Sequence, residues 1–143
     1  MEKRNLGNTG TKVGALGIGA MSFSDFYGPT NTQESHAILK MALDNGIDHI
    51  DTAKVYGMGL SEERIGQFLN TLNPKDRQFF KIATKGGIDR KNFDDKGTVV
   101  FDNSKEFLTE ELNNSLRRLG VDCVELYYVH RREADRPIEE VTE

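Results

Sequence analysis

Apolar residues along the chain follow two alternating rhythms. Short apolar runs of strand length are separated by stretches with helical spacing, the ordering expected of an α/β protein. Lys3–Leu6 and Lys12–Ala15 flank Gly-Asn-Thr-Gly and predict a small hairpin within residues 3–14. Leu16–Ala20 predicts a strand whose glycines admit close approach of backbone or ligand. A polar loop from Ser22 to Asn31 leads to a helix, with Thr30 and Gln33 as a capping box. Ala37, Ile38, Met41 and Ala42 form its expected apolar face, and Gly46 stops it.

Ile47–Asp51 predicts the next strand. Ser61 is the expected cap of a second helix, Glu62 and Glu63 suit its positive N-terminus, and Ile65, Phe68 and Leu69 face inward. Asn73-Pro74 is read as a break before a third strand, Phe79–Thr84. Gly86 to Asn103 reads as a long loop with little periodicity, a kind that is often functional. Ser104 opens a third helix, with Leu108, Leu112, Ser115, Leu116 and Leu119 on one face before Gly120. Val121–Val129 is the most apolar strand, and Pro137 with Glu139 and Glu140 suits the start of a fourth helix.

These strand–helix units, joined by right-handed crossovers, would lie parallel with their C-terminal ends on one side. That side is where a βα barrel keeps its chemistry. Asp51 ends the second strand, Lys85 lies just past the third, His130 ends the fourth, and Tyr56 follows Asp51 in its loop. Each alone has an ordinary reading: a loop-ordering carboxylate, a packed aromatic, a solvated ammonium, a histidine bonded to backbone. Their convergence at successive strand ends points instead to proton transfer at a carbonyl oxygen. A free phenol with a pKa near ~10 is a poor acid at neutrality, and a neighbouring ammonium favours its ionised form. Asp51 would hold Lys85, and His130 would orient the reacting oxygen.

Composition narrows the class without naming a reaction. The 143 residues are 36% hydrophobic, too apolar for a disordered tail, and no apolar run nears the ~20 residues of a membrane span. Nineteen basic residues against 23 acidic ones, with no large basic block, argue against nucleic acid as a partner. The polar start does not resemble a signal peptide, and the lone Cys123 suits a reducing cytoplasm, so a cytoplasmic location is expected. No metal is called for.

Longer motifs add a family. Ile50-Asp-Thr-Ala-Lys-Val-Tyr-Gly57 resembles the Asp-Thr-Ala-x-x-Tyr-Gly signature of the aldo-keto reductases, and Ser61-Glu-Glu-Arg-Ile-Gly66 resembles the Glu-x-x-Ile/Leu-Gly that follows it. Ala83-Thr-Lys85 matches the family's strand-end lysine. Ser115 to Asp122 and Leu126-Tyr-Tyr-Val-His130 are similar to the helix and strand that present its histidine. Arg4–Gly10 and Leu16-Gly-Ile-Gly19 resemble its bottom hairpin and first strand, and the Phe26-Tyr27-Gly28-Pro29 loop is closest to bacterial and plant members.

The resemblance implies an NADPH-dependent reductase of aldehydes or ketones, built on a (β/α)8 TIM barrel. Tyr56 would donate the proton, Lys85 and Asp51 would tune it, and His130 would position the carbonyl. It further implies Gly19, Ala20, Met21 and Asp51 at the nicotinamide end of NADP(H), and Phe26, Tyr27, Val55 and Arg131 at the substrate mouth. Such barrels typically need ~250 residues. Residues 15–143 hold units one to three, the fourth strand and the start of its helix, so the expected fold is the first half of the barrel preceded by the hairpin. Two alternatives follow. The half-barrel could be a non-catalytic assembly or binding module that closes with a second copy or another chain through its exposed surfaces. It could also be a cofactor-sensing subunit, as in channel-associated members of the family.

Overall fold

The computed structural model of the chain describes residues 1–93 and 97–142. Strands β1 (Lys3–Asn5) and β2 (Lys12–Gly14) form the antiparallel hairpin, followed by β3 (Gly17–Gly19) and a 3-10 turn at Ala20–Ser24. Then come α1 (Thr32–Asp44), β4 (His49–Asp51), a second 3-10 turn at Tyr56–Gly59 and α2 (Leu60–Asn70). After α3 (Pro74–Phe79) the chain enters β5 (Lys81–Gly86), β6 (Ile88–Phe93) and β7 (Val99–Phe101). It continues through α4 (Lys105–Leu119), β8 (Leu126–Val129) and α5 (Ile138–Thr142).

The central sheet runs β3-β4-β5-β8, parallel at every pairing, so successive units lie side by side. This is the first half of a TIM barrel, with β3 and β8 at its edges. Side chains alternate across each strand. The register sets Ile18, Ile50 and Ile82 side by side, facing a core of Leu39, Ile65, Phe68, Leu69, Phe80 and Leu119. Gly19, Asp51 and Ala83 form the next row, displaced to the other face by the same alternation.

Local chemistry moved several expected boundaries. Helix α1 is capped by Asn31, whose side chain accepts the Glu34 N–H, rather than by Thr30. Its buried residues are Ser35, Leu39 and Ala42, while Ile38 and Met41 stay exposed, as does Ala37, because α1 meets the sheet and α2 with the adjoining stripe. Helix α2 begins after Gly59, and Ser61 lies inside it, its hydroxyl donating to Ala20 O at 2.8 Å. Glu62 sits in the first turn, yet its carboxylate is fully buried, accepting Thr84 Oγ1 at 2.6 Å and Arg118 Nε at 2.6 Å. Asn73 caps α3 rather than ending a helix, so Phe79 is helical and the strand starts at Lys81.

The expected loop Gly86–Asn103 contains the β6/β7 hairpin, because Val99-Val100-Phe101 pairs antiparallel with the Ile88 segment; residues 94–96 of it lie outside the described residues. On α4 the stripe rotates slightly: Glu111, Ser115 and Leu119 are buried, with the neighbouring leucines half-buried. The fourth strand shrinks to Leu126–Val129 and is only partly covered, since β8 has a strand on one side alone. No helix among the described residues is long and apolar enough to cross a membrane.

Candidate active site

Parallel pairing gathers the strand ends. Asp51 closes β4, Lys85 is the penultimate residue of β5 rather than lying beyond it, and His130 follows β8, its N–H donating to Gly86 O at 2.8 Å. Tyr56 opens the 3-10 turn between β4 and α2. Gly57 explains how the turn is made: it has φ of 62°, and a Cβ there would lie 2.8 Å from Ser24 Cβ and 2.9 Å from Leu60 Cβ. Only a glycine lets the chain reverse against Ser24 directly after Tyr56.

The Lys85 ammonium organises the site. It forms an ion pair with Asp51, donates to Thr52 O at 2.9 Å and donates to the Tyr56 phenol oxygen at 3.3 Å. Three donors thus meet three acceptors. The ammonium also lies 5.0 Å from the Tyr56 ring centroid, and the His130 ring meets that ring edge-on at 5.8 Å between centroids. His130 is held below the ordinary imidazole range by burial first, then by the charges of Lys85, Arg131 and Arg90, against an opposing pull from Asp51. Near neutrality it is therefore an uncharged ring.

A cleft of about 540 Å³ opens over Tyr56 and His130. Phe26, Val55 and Arg131, expected at the substrate mouth, line it together with Met21, expected at the nicotinamide end. Tyr27 does not: it is 75% exposed, stacked edge-on against Phe26 with its hydroxyl 3.7 Å from Met21 Sδ. Ala20, expected at the nicotinamide end, is fully buried, and its carbonyl accepts from Ser61. Gly19 is exposed at the end of β3 with open space where a Cβ would stand. Sequence reasoning missed Ser24, Met58, Ile88, Arg90, Val99 and Phe101 in the cleft wall. The β-branched run Val99-Val100 was the signal for the last of these, since it marks a strand inside the supposed loop.

Fold and site together define a βα-barrel half with its polar cluster at the strand C-termini. Comparison with known proteins makes this specific. A sequence model described as the Aldo/keto reductase family matches residues 15–143, and the chain belongs to that family. It is 35% identical over 138 residues to aldo-keto reductase yakc [NADP(+)] of Schizosaccharomyces pombe, covering 96% of this chain and 39% of that protein. It is 35% identical over 140 residues to a probable voltage-gated potassium channel subunit beta of Arabidopsis thaliana, covering 98% and 40%. The aldo-keto reductase AKR11C1 from Bacillus halodurans (holo form) superposes with a TM-score of 0.81 at 35% identity, over 99% of this chain and 44% of that one. The chain thus spans about two fifths of the length of the curated relatives it matches.

Proposed function

We propose that this chain carries the proton-transfer side of an NADPH-dependent aldehyde or ketone reductase. The observation that carries the reading is the Lys85 ammonium, joined at once to Asp51, Thr52 O and the Tyr56 hydroxyl beneath an open cleft. A cation donating to the phenol oxygen stabilises the charge that develops there as the proton leaves. Asp51 and Thr52 O hold that cation in place. The neutral His130 ring, edge-on to Tyr56, would donate to the carbonyl oxygen.

The residues present fit the reacting end of a nicotinamide. Exposed Gly19 leaves free space at the end of β3 beside Asp51, where an aromatic ring can approach the strand ends. A reduced nicotinamide held there would supply the hydride for the carbonyl carbon, and Tyr56 would give its proton to the carbonyl oxygen. The name of the fungal relative, which specifies NADP(+), supports the cofactor choice.

Tyr56→Phe tests the assignment: turnover of an aldehyde, followed by NADPH absorbance, is expected to fall by about 10²–10⁴-fold. NADPH affinity by fluorescence titration should be retained. Unchanged turnover would remove Tyr56 from the proton-donor role. The open edges at β3 and β8 support a second reading, a half-barrel module that closes with a second copy or another chain. A stable dimer that binds no NADPH would favour it.

A further inference from the structure

Most arginines of this chain are engaged within the fold. Arg64 donates to Phe23 O and Thr30 O, Arg77 to Gly120 O, Arg117 to Asn113 O, Arg118 to Glu62 and Arg136 to Glu133. Arg132 is exposed and stands outside the cleft lining, whereas Arg90 and Arg131 differ in reaching it. Both are exposed, neither has an ion-pair partner among the described residues, and both line the cleft above Tyr56 and His130.

They reach it from opposite directions in the chain. Arg90 is carried by β6 of the inserted hairpin, and Arg131 follows His130 at the end of the sheet. Among the described residues that line the cleft there is no Asp or Glu. The carboxylate nearest the chemistry, Asp51, is held by Lys85. Among the described residues, the charges that act on the His130 ring are those of Lys85, Arg90 and Arg131 against that of Asp51, an excess of two positive charges. The whole chain carries −4, so this local excess runs against the overall balance. The positive charges of both arginines already act on His130, which places their field at the reacting position. Apart from Ser24, the remaining wall, formed chiefly by Met21, Phe26, Val55, Ile88 and Phe101, is apolar.

We propose that the substrate of this cleft is a carbonyl compound with an apolar body and an anionic group, a carboxylate or a phosphate ester. Arg90 and Arg131 grip the anion, while the carbonyl end lies at Tyr56 and His130. Guanidinium donors suit both anions because their planar fork pairs two oxygens at once. The proposal rests on the reductase reading above and adds the class of substrate.

The test pairs probes that differ only in charge: 4-carboxybenzaldehyde against methyl 4-formylbenzoate, and glyceraldehyde 3-phosphate against glyceraldehyde. With NADPH and the full chain, kcat/KM is expected to favour an acid over its neutral counterpart by tenfold or more, mainly through KM. Arg90→Met and Arg131→Met should each erase most of that preference, lowering kcat/KM for the acid by at least tenfold more than for its neutral counterpart. Arg90→Lys and Arg131→Lys should restore part of it. Whichever acid shows the arginine-dependent preference identifies the anion. Equal rates for acid and neutral probes, with no effect of the arginine variants, would overturn the proposal and leave the reductase reading standing. A weakened NADPH affinity in the variants with an unchanged acid preference would likewise overturn it, assigning the arginines to the cofactor. If no probe turns over, NMR titration with the unreactive terephthalate decides the matter: arginine-dependent binding supports the anion site while the reductase reading fails, and no binding overturns it.

Discussion

Tyr127 and Tyr56 show how environment assigns work to one hydroxyl. Tyr127 is packed against α4, donates to Leu108 O at 3.1 Å, and has its phenol pushed up by burial first and then by Glu111 and Glu62. It stays a structural donor. Tyr56 faces an ammonium and an open cleft instead. His130 makes the fold sensitive to pH. Its folded value lies below the ordinary 6.5, so between those two values the unfolded chain binds more protons than the folded one. Stability therefore rises with pH through that window, and acidification below 6.5 weakens the fold. Thermal denaturation across this range should show a shallower fall in Tm for His130→Gln than for the unaltered chain. An imidazole that titrates by NMR at or above 6.5 would contradict the burial argument.

Elements are held together here by a few polar pins as much as by apolar faces. Asp48, 3% exposed, accepts the Gly14 N–H at 2.6 Å and pairs with Lys3, tying the β1–β2 hairpin to the start of β4. Burial alone would raise its carboxyl, but the bonds from Lys3 and Gly14 outweigh it and hold it below 3.8. That stabilisation is present above 3.8 and is lost as pH falls through the lowered value. Asp48→Ala is expected to cost about 1.5–3 kcal/mol near neutrality, the range for hydrogen bonds to a charged group, read by urea denaturation. The α2–α4 contact depends on a small residue: a Cβ on Gly66 would stand 2.1 Å from Arg118 O. Alanine has the better helix propensity, yet Gly66→Ala should destabilise by about 1–3 kcal/mol, because backbone cannot yield as a side chain would. A neutral or stabilising result would show that α4 can shift.

At the scale of the whole molecule, the open sheet sets the behaviour. Among the described residues β3 and β8 each pair on one side only, and apolar side chains such as Leu16, Met41 and Ile138 remain exposed. Unpaired parallel edges and uncovered apolar surface favour association. Sedimentation of the 143-residue chain should give a weight-average mass that rises above 16.1 kDa with concentration. A mass that stays at 16.1 kDa throughout would show that the edges are protected.

The sequence alone determined what is periodic or locally chemical. Its alternating runs predicted parallel βα units, Ser104 and Gly120 marked the ends of α4, and Asp51, Lys85 and His130 were legible because strand ends on one side follow from topology. What it left open depends on which face meets which neighbour. The buried stripe of α1, the inward turn of Glu62, the pin made by Asp48 and the burial of Ala20 follow from packing between segments far apart in the chain. The hairpin that brings Arg90 to the cleft escaped because pairing of two short strands is a contact and carries no period. Tertiary structure alone decided that three cations and one carboxylate surround the same phenol and imidazole, since charges at distant positions acquire a common field only once the chain is folded.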